Sequence, residues 1–173
     1  MPCKRIEFQM FFLVLVSAMT FLVPKVSIAQ NAFSNTGLPL PRFVSLASDK
    51  VYMRSGPGTK YPVLWEFKRK NYPVEIIMEF DIWRKIRSED GTEGWVHKSL
   101  LSGRRFVTVQ ADDLVPLHRK PDEASRLMAY IEPGAIASLD ECQALWCKIS
   151  SQGYEGWIQR KFLWGVYDTE ILN

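Results

Sequence analysis

Of the side chains that most often carry chemistry, this chain has few. Its 173 residues include two histidines, His97 and His118, and three cysteines, Cys3, Cys142 and Cys147. Neither histidine forms a spaced ligand set with the cysteines, so no metal centre and no other cofactor is expected. Charge of one sign is also lacking: 22 basic residues face 19 acidic ones. Long apolar runs are missing too. The longest is Met10 to Val23, 14 residues without a charge, against the roughly 20 that a membrane-spanning helix needs. Lys4 and Arg5 precede that run and Ser27-Ile28-Ala29 follows it with small residues at the two cleavage-recognition positions, so residues 1–29 read as an export signal cut after Ala29. Cys3 lies before the apolar run and is not placed to become a lipid-modified first residue. The expected product is periplasmic or secreted, with no stable membrane anchor.

Cleavage would remove Lys4, Arg5 and Lys25 from the 22 basic residues and Glu7 from the 19 acidic ones, leaving 19 against 18, a net charge of +1. A near-neutral surface has no electrostatic footprint for nucleic acid. After the signal no window carries a helical period over ten or more residues, which argues against a helical or α/β architecture.

What the chain has is a repeat. Glu93-Gly94-Trp95-Val96-His97-Lys98-Ser99-Leu100-Leu101-Ser102-Gly103 returns, without a gap, as Glu155-Gly156-Trp157-Ile158-Gln159-Arg160-Lys161-Phe162-Leu163-Trp164-Gly165. Upstream, Trp83-Arg84-Lys85-Ile86 answers Trp146-Cys147-Lys148-Ile149, and the stretch from Val51 to Pro57 answers the one from Val115 to Pro121. The offset grows from 62 to 64 residues going backwards, as it does when loops change length between strands of fixed length. Within a copy the pattern is β: Val74 to Phe80 is apolar and β-branched, Trp83 to Arg87 alternates apolar with basic, and Asp90-Gly91 is a turn signal. The expected fold class is all-β, two tandem small barrels: a signal at 1–29, a Pro-rich linker at 30–43, repeat one at 44–103 and repeat two at 108–165. About 60 residues is marginal for a lone domain, so the modules are expected to share an interface. Residues 168–173 read as a frayed end.

These residues resemble the bacterial SH3-like (SH3b) domains. The resemblance rests on Val51-Tyr52-Met53-Arg54-Ser55-Gly56-Pro57, on the Trp-Xaa-Lys-Ile strand and on the closing Gly-Trp-Val with its short turn and Leu. In repeat two the first of these is replaced by His118-Arg119-Lys120-Pro121-Asp122, which breaks any carry-over of ligand function to that loop. The tandem, exported form with a cysteine pair is similar to SH3-like proteins of Gram-negative envelopes. The resemblance implies SH3-like barrels and a role in binding a cell-envelope ligand, with peptidoglycan peptide foremost; the alternative is a periplasmic protein–protein interaction module, accessory to a cell-wall hydrolase.

For the site, Tyr52, Arg54, Tyr61 and Trp65 would line the first loop of repeat one, an aromatic floor with one Arg that suits a short peptide or a carboxylate. Gly56 and Gly58 can take positive φ there. Trp83, Trp95, Trp146 and Trp157 recur at fixed places and read as core or rim packing. Trp65 and Trp164 have no tryptophan counterpart, and so read as surface, as a contact between modules or with a partner. Cys142 and Cys147 bracket a four-residue turn and read as a cross-strand disulfide. A cysteine nucleophile served by His118 or His97 would need a catalytic domain for which no residues remain, so the chain reads as a non-enzyme.

Overall fold

A computed structural model describes residues 35–173; the export signal and the start of the linker lie outside the described residues. The architecture is all-β. Fourteen strands form two seven-stranded antiparallel sheets, one per repeat. Repeat one comprises β1 (Arg42–Leu46), β2 (Val51–Arg54), β3 (Val63–Phe67), β4 (Pro73–Phe80), β5 (Trp83–Arg87), β6 (Glu93–His97) and β7 (Leu101–Ser102). Repeat two comprises β8 (Phe106–Val109), β9 (Val115–His118), β10 (Leu127–Ile131), β11 (Ile136–Cys142), β12 (Trp146–Ser151), β13 (Tyr154–Gln159) and β14 (Leu163–Trp164). The strand orders, β3-β2-β6-β5-β4-β1-β7 and β10-β9-β13-β12-β11-β8-β14, are one topology used twice. Each repeat closes with a single 3-10 turn, Lys98–Leu100 or Arg160–Phe162, where the sequence places it.

Alternation along the strands fills each interior. In repeat one Val44, Leu46, Val51, Met53, Phe67, Val74, Ile76, Ile86 and Val96 form the core. In repeat two it runs from Val107 to Val166 and includes both cysteines. The glycine before each closing tryptophan is required by close approach. A Cβ on Gly94 would sit 2.5 Å from Met53 Cγ and 2.9 Å from the Arg54 carbonyl oxygen, and one on Gly156 2.7 Å from the His118 carbonyl oxygen. The repeated tryptophans serve the rims: Trp83 stands edge-on to His97 at 5.6 Å, and Trp146 edge-on to His118 at 5.7 Å.

At one position the two modules use different chemistry. Glu79 pairs across β4 and β5 with Arg84, and Cys142 pairs across β11 and β12 with Cys147. The cysteines form the expected disulfide. In repeat one a fully buried Glu79 carboxylate instead receives Arg84 Nε at 3.3 Å and Arg42 Nη2 at 2.5 Å. Thr36, from the segment before β1, donates to the same carboxylate from its backbone N–H and its hydroxyl, each at 2.9 Å. The linker therefore gives way to ordered structure early: Thr36 is anchored, and β1 begins at Arg42.

The chain's other end is tied to the matching hairpin. Leu172 exchanges backbone hydrogen bonds with Cys142, and the buried Arg160 guanidinium donates to the carbonyls of Gln143, Tyr167, Asp168 and Glu170. Arg105 pairs with Glu170. The frayed end expected for residues 168–173 is thus corrected: buried Arg160 holds it by its backbone and Arg105 by the Glu170 carboxylate, a signal that composition does not carry.

The modules share the expected interface. Phe43 of β1 lies between Trp164 (centroids 5.1 Å apart, edge-on) and Tyr167 (4.7 Å). The Tyr167 hydroxyl donates to Glu75 at 2.8 Å, and Ser45 Oγ donates to the Arg104 carbonyl at 2.8 Å. Burial, and then the hydrogen bond to Glu75, push the Tyr167 hydroxyl above the usual phenol range. Among the described residues no helix is long and apolar enough to cross a membrane.

Candidate ligand groove

The four residues singled out around the first loop do not converge on one cavity. Arg54 is committed to the loop itself: its Nη1 donates to the Tyr61 carbonyl at 2.8 Å and the Thr59 carbonyl at 3.2 Å. Tyr61 lies on the loop's glycines. A Cβ at Gly56 would meet its ring at 2.6 Å and one at Gly58 at 3.3 Å. Neither glycine adopts positive φ, so both are there to admit an aromatic ring rather than to turn the backbone. Tyr52 is exposed, with Lys50 Nζ 5.0 Å from its ring centroid.

Trp65 points elsewhere. Register pairs Tyr52 with Glu66 and Met53 with Trp65, and residues directly opposite share a face of the sheet. Met53 is fully buried, so Trp65 extends from the core side of β3 while Tyr52 stands on the outer side. There Trp65 lines a groove of about 650 Å³ with Phe67, Tyr72, Glu89, Asp90 and Gln110. Its floor is aromatic: Phe67 and Tyr72 stack with centroids 5.7 Å apart. Trp65 is more than half exposed at its mouth. Lys68 and Arg69 on one strand end, and Glu66 and Asp90, give the rim charges of both signs.

This groove lies where the modules meet, because one carboxylate joins them. Glu89 accepts from Thr108 Oγ1 at 2.8 Å and from Gln110 Nε2 at 3.0 Å, both in repeat two, and from the Tyr72 hydroxyl at 3.3 Å. Burial, and then the charge of Glu89, push the Tyr72 hydroxyl up to about 12. Tyr72 is therefore a neutral donor across the physiological range, and Glu89 is held as its acceptor. Asp90 is fixed in turn by Ser88 Oγ (2.6 Å) and by the backbone N–H (3.1 Å) and hydroxyl (3.0 Å) of Thr92. The hydrogen bond from Ser88, then those from Thr92, hold its carboxyl below the usual range. The groove is therefore preformed, with polar groups fixed before any ligand arrives.

Tyr72, Glu89 and Gln110 escape a reading of the sequence, since only the packing of β8 against repeat one brings Gln110 to Glu89. Tyr72 follows Asn71, whose φ of 63° marks a turn, but the turn does not reveal where the ring goes. Trp164, expected at a surface or a module contact, takes the second role against Phe43. The cysteines are bonded to each other, so in this form neither sulfur is a free nucleophile. Among the described residues no group of three or more His, Cys, Asp or Glu side chains could hold a metal ion.

Two barrels of one topology, each closed by Gly-Trp and a 3-10 turn, define a tandem SH3-like protein. The bacterial SH3 domain family matches residues 47–103 and 111–165, and the chain belongs to that family, twice over. Among curated proteins it is 26% identical over 129 residues to the putative N-acetylmuramoyl-L-alanine amidase YrvJ of Bacillus subtilis (strain 168), which covers 68% of this chain and 24% of that protein. The chain thus spans about a quarter of that relative's length. Among solved structures it is similar to NlpC2 and NlpC1 of Trichomonas vaginalis, at 15% and 14% identity and a TM-score of 0.33 for each. The matches cover 72% and 76% of this chain and 48% of each of those chains.

Proposed function

We propose that this protein is a non-catalytic, exported binding protein that recognises a peptide of the cell wall in the Trp65–Tyr72 groove. The observation that carries the reading is that groove: preformed, aromatic-floored, rimmed by both charges and built from a bacterial SH3 module. A wall peptide offers short apolar side chains together with amine and carboxylate groups, which match the floor and the Asp90 and Arg69 rim. A fixed groove takes an extended peptide at little ordering cost. The similarity to a putative amidase supports a wall setting outside the cytoplasm.

Co-sedimentation with purified peptidoglycan sacculi tests this. The protein should pellet with sacculi, and Trp65→Ala, which removes an exposed ring, should lower retention about tenfold or more with the fold intact, as loss of an aromatic anchor does. Tyr52→Ala, on the other face, should leave retention unchanged. Absence of retention at every salt concentration, or equal loss from both substitutions, would overturn the assignment and point to a protein ligand for the modules.

A further inference from the structure

The groove of repeat one has a counterpart at the same place in repeat two. Trp65 lies opposite Met53 and Phe67 opposite Val51, as Ala129 lies opposite Leu117 and Ile131 opposite Val115. Beside Ala129 and Ile131 a cavity of about 370 Å³ is lined by Tyr130, Ser151, Gln152 and Tyr154. Its chemistry is different. In repeat one residues 88–92 separate the paired Arg87 and Glu93, whereas in repeat two residues 151–154 separate the paired Ser150 and Glu155. The shorter turn is Gln152-Gly153, with φ of 50° and 85°, the backbone of a tight hairpin connection. Shortening removes both Glu89 and Asp90 and leaves a neutral amide. Tyr154 stands where repeat one has Thr92, each just before the Glu-Gly-Trp motif. Tyr130 and Tyr154 are both more than half exposed.

The two grooves are joined. A cavity of about 630 Å³ shares Arg69 with the Trp65 groove and Glu132, Ala135, Ser151 and Gln152 with the Tyr154 groove. Arg69 spans the junction of the modules, its Nη2 donating to the Gly134 carbonyl at 2.8 Å. One furrow thus runs from Trp65 across the junction to Tyr154. It carries both signs of charge as far as Arg69, Lys70 and Glu132, and none beyond. We propose that the Tyr154 end is a saccharide site, taking an uncharged sugar ring covalently joined to the peptide in the Trp65 groove. A sugar lays a C–H face on a tyrosine ring, and its hydroxyl and acetamido groups meet the amide of Gln152 and the hydroxyls of Ser151, Tyr130 and Tyr154. It needs no charged partner, whereas the ends of a peptide would find only the Glu132 carboxylate there. Joining sugar to peptide makes the second contact intramolecular and raises affinity without a new site. The joined ligand rests on the wall-peptide reading of the Trp65 groove; the sugar site does not.

Calorimetric titration of the purified protein with three soluble probes tests this: a free wall stem peptide, the same peptide carrying its wall disaccharide, and an uncharged, peptide-free oligomer of N-acetylglucosamine. The disaccharide-peptide should bind about tenfold more tightly than the free peptide, and the sugar oligomer should bind weakly by itself. Tyr154→Ala, at an exposed ring, should lower affinity for the disaccharide-peptide about tenfold, as loss of an aromatic anchor does. It should abolish binding of the sugar oligomer and leave the free peptide unchanged. Tyr154→Phe keeps the ring and should keep most of the affinity. Trp65→Ala should weaken both peptide probes and leave the sugar oligomer unchanged. A sugar oligomer that does not bind the unaltered protein, a disaccharide-peptide indifferent to Tyr154→Ala, or a free peptide weakened equally by it would each overturn the proposal. A free peptide that fails to bind, with sugar binding still lost in Tyr154→Ala, would overturn the reading of the Trp65 groove and support the sugar site.

Discussion

The buried carboxylate of Glu79 makes a stability term that can be switched by pH. Burial alone would push its carboxyl up. Hydrogen bonds from Arg42 and Thr36, with the charge of Arg42, outweigh burial and bring it from 4.5 down to about 2. A carboxyl depressed in this way stabilises the fold fully above its unfolded value near 4.5 and loses that contribution as pH falls toward 2. At about 1.4 kcal/mol per unit, the shift corresponds to about 3 kcal/mol at neutral pH, of which about 2 kcal/mol is gone by pH 3. Glu79→Gln removes the charge and leaves Arg42 and Arg84 facing an amide, so at pH 7 it should cost about 3 kcal/mol. The decisive quantity is the difference between the two proteins in urea unfolding followed by tryptophan fluorescence, because other titrating groups cancel in it. That difference should shrink to about 1 kcal/mol at pH 3. A difference that stays level between pH 7 and pH 3 would refute the assignment of the stabilisation to an ionised Glu79.

Three further outcomes follow from the geometry. Gly94→Ala and Gly156→Ala should each destabilise by about 1–3 kcal/mol, because the added carbon meets backbone oxygen. Gly103→Ala, with nothing within 4 Å of its Cβ, should be near neutral in the same melts. Replacing Cys142 and Cys147 by serine should cost at most about 2–3 kcal/mol, since the closed loop is short, and amide exchange should then quicken at Leu172, which the hairpin holds. Tyr167→Phe keeps the ring on Phe43 but leaves Glu75 without that donor, so it should cost about 1 kcal/mol in urea unfolding, and a cost near zero would show that the hydroxyl is not part of the interface.

The fold was largely legible because its signals are local and doubled. The Gly-Trp motif, the 3-10 turns, the Asp90-Gly91 turn and the cysteine hairpin each sit within a few residues, and repetition separates them from chance. The groove was not, for a physical reason. Trp65 was visible as a tryptophan without a counterpart, but its face depended on register: Met53 opposite Trp65 sends the ring away from Tyr52 and Arg54. Arg54 reads as a ligand group in the sequence, but its Nη1 is bonded to two of the loop's own carbonyls. The C-terminal strap was invisible because Arg160 grips backbone oxygens, which every residue has.

Glu79 and the Cys142–Cys147 pair occupy one position in two copies of a hairpin, and each moors one end of the described chain: Thr36 at the first, Leu172 at the second. The moorings answer to different solutes. Acid acts on the first through the Glu79 carboxylate, whereas a thiol reductant acts only on the second, by cutting the Cys142–Cys147 bond. One position in a repeated hairpin thus carries a proton-sensitive tie in repeat one and a redox-sensitive tie in repeat two.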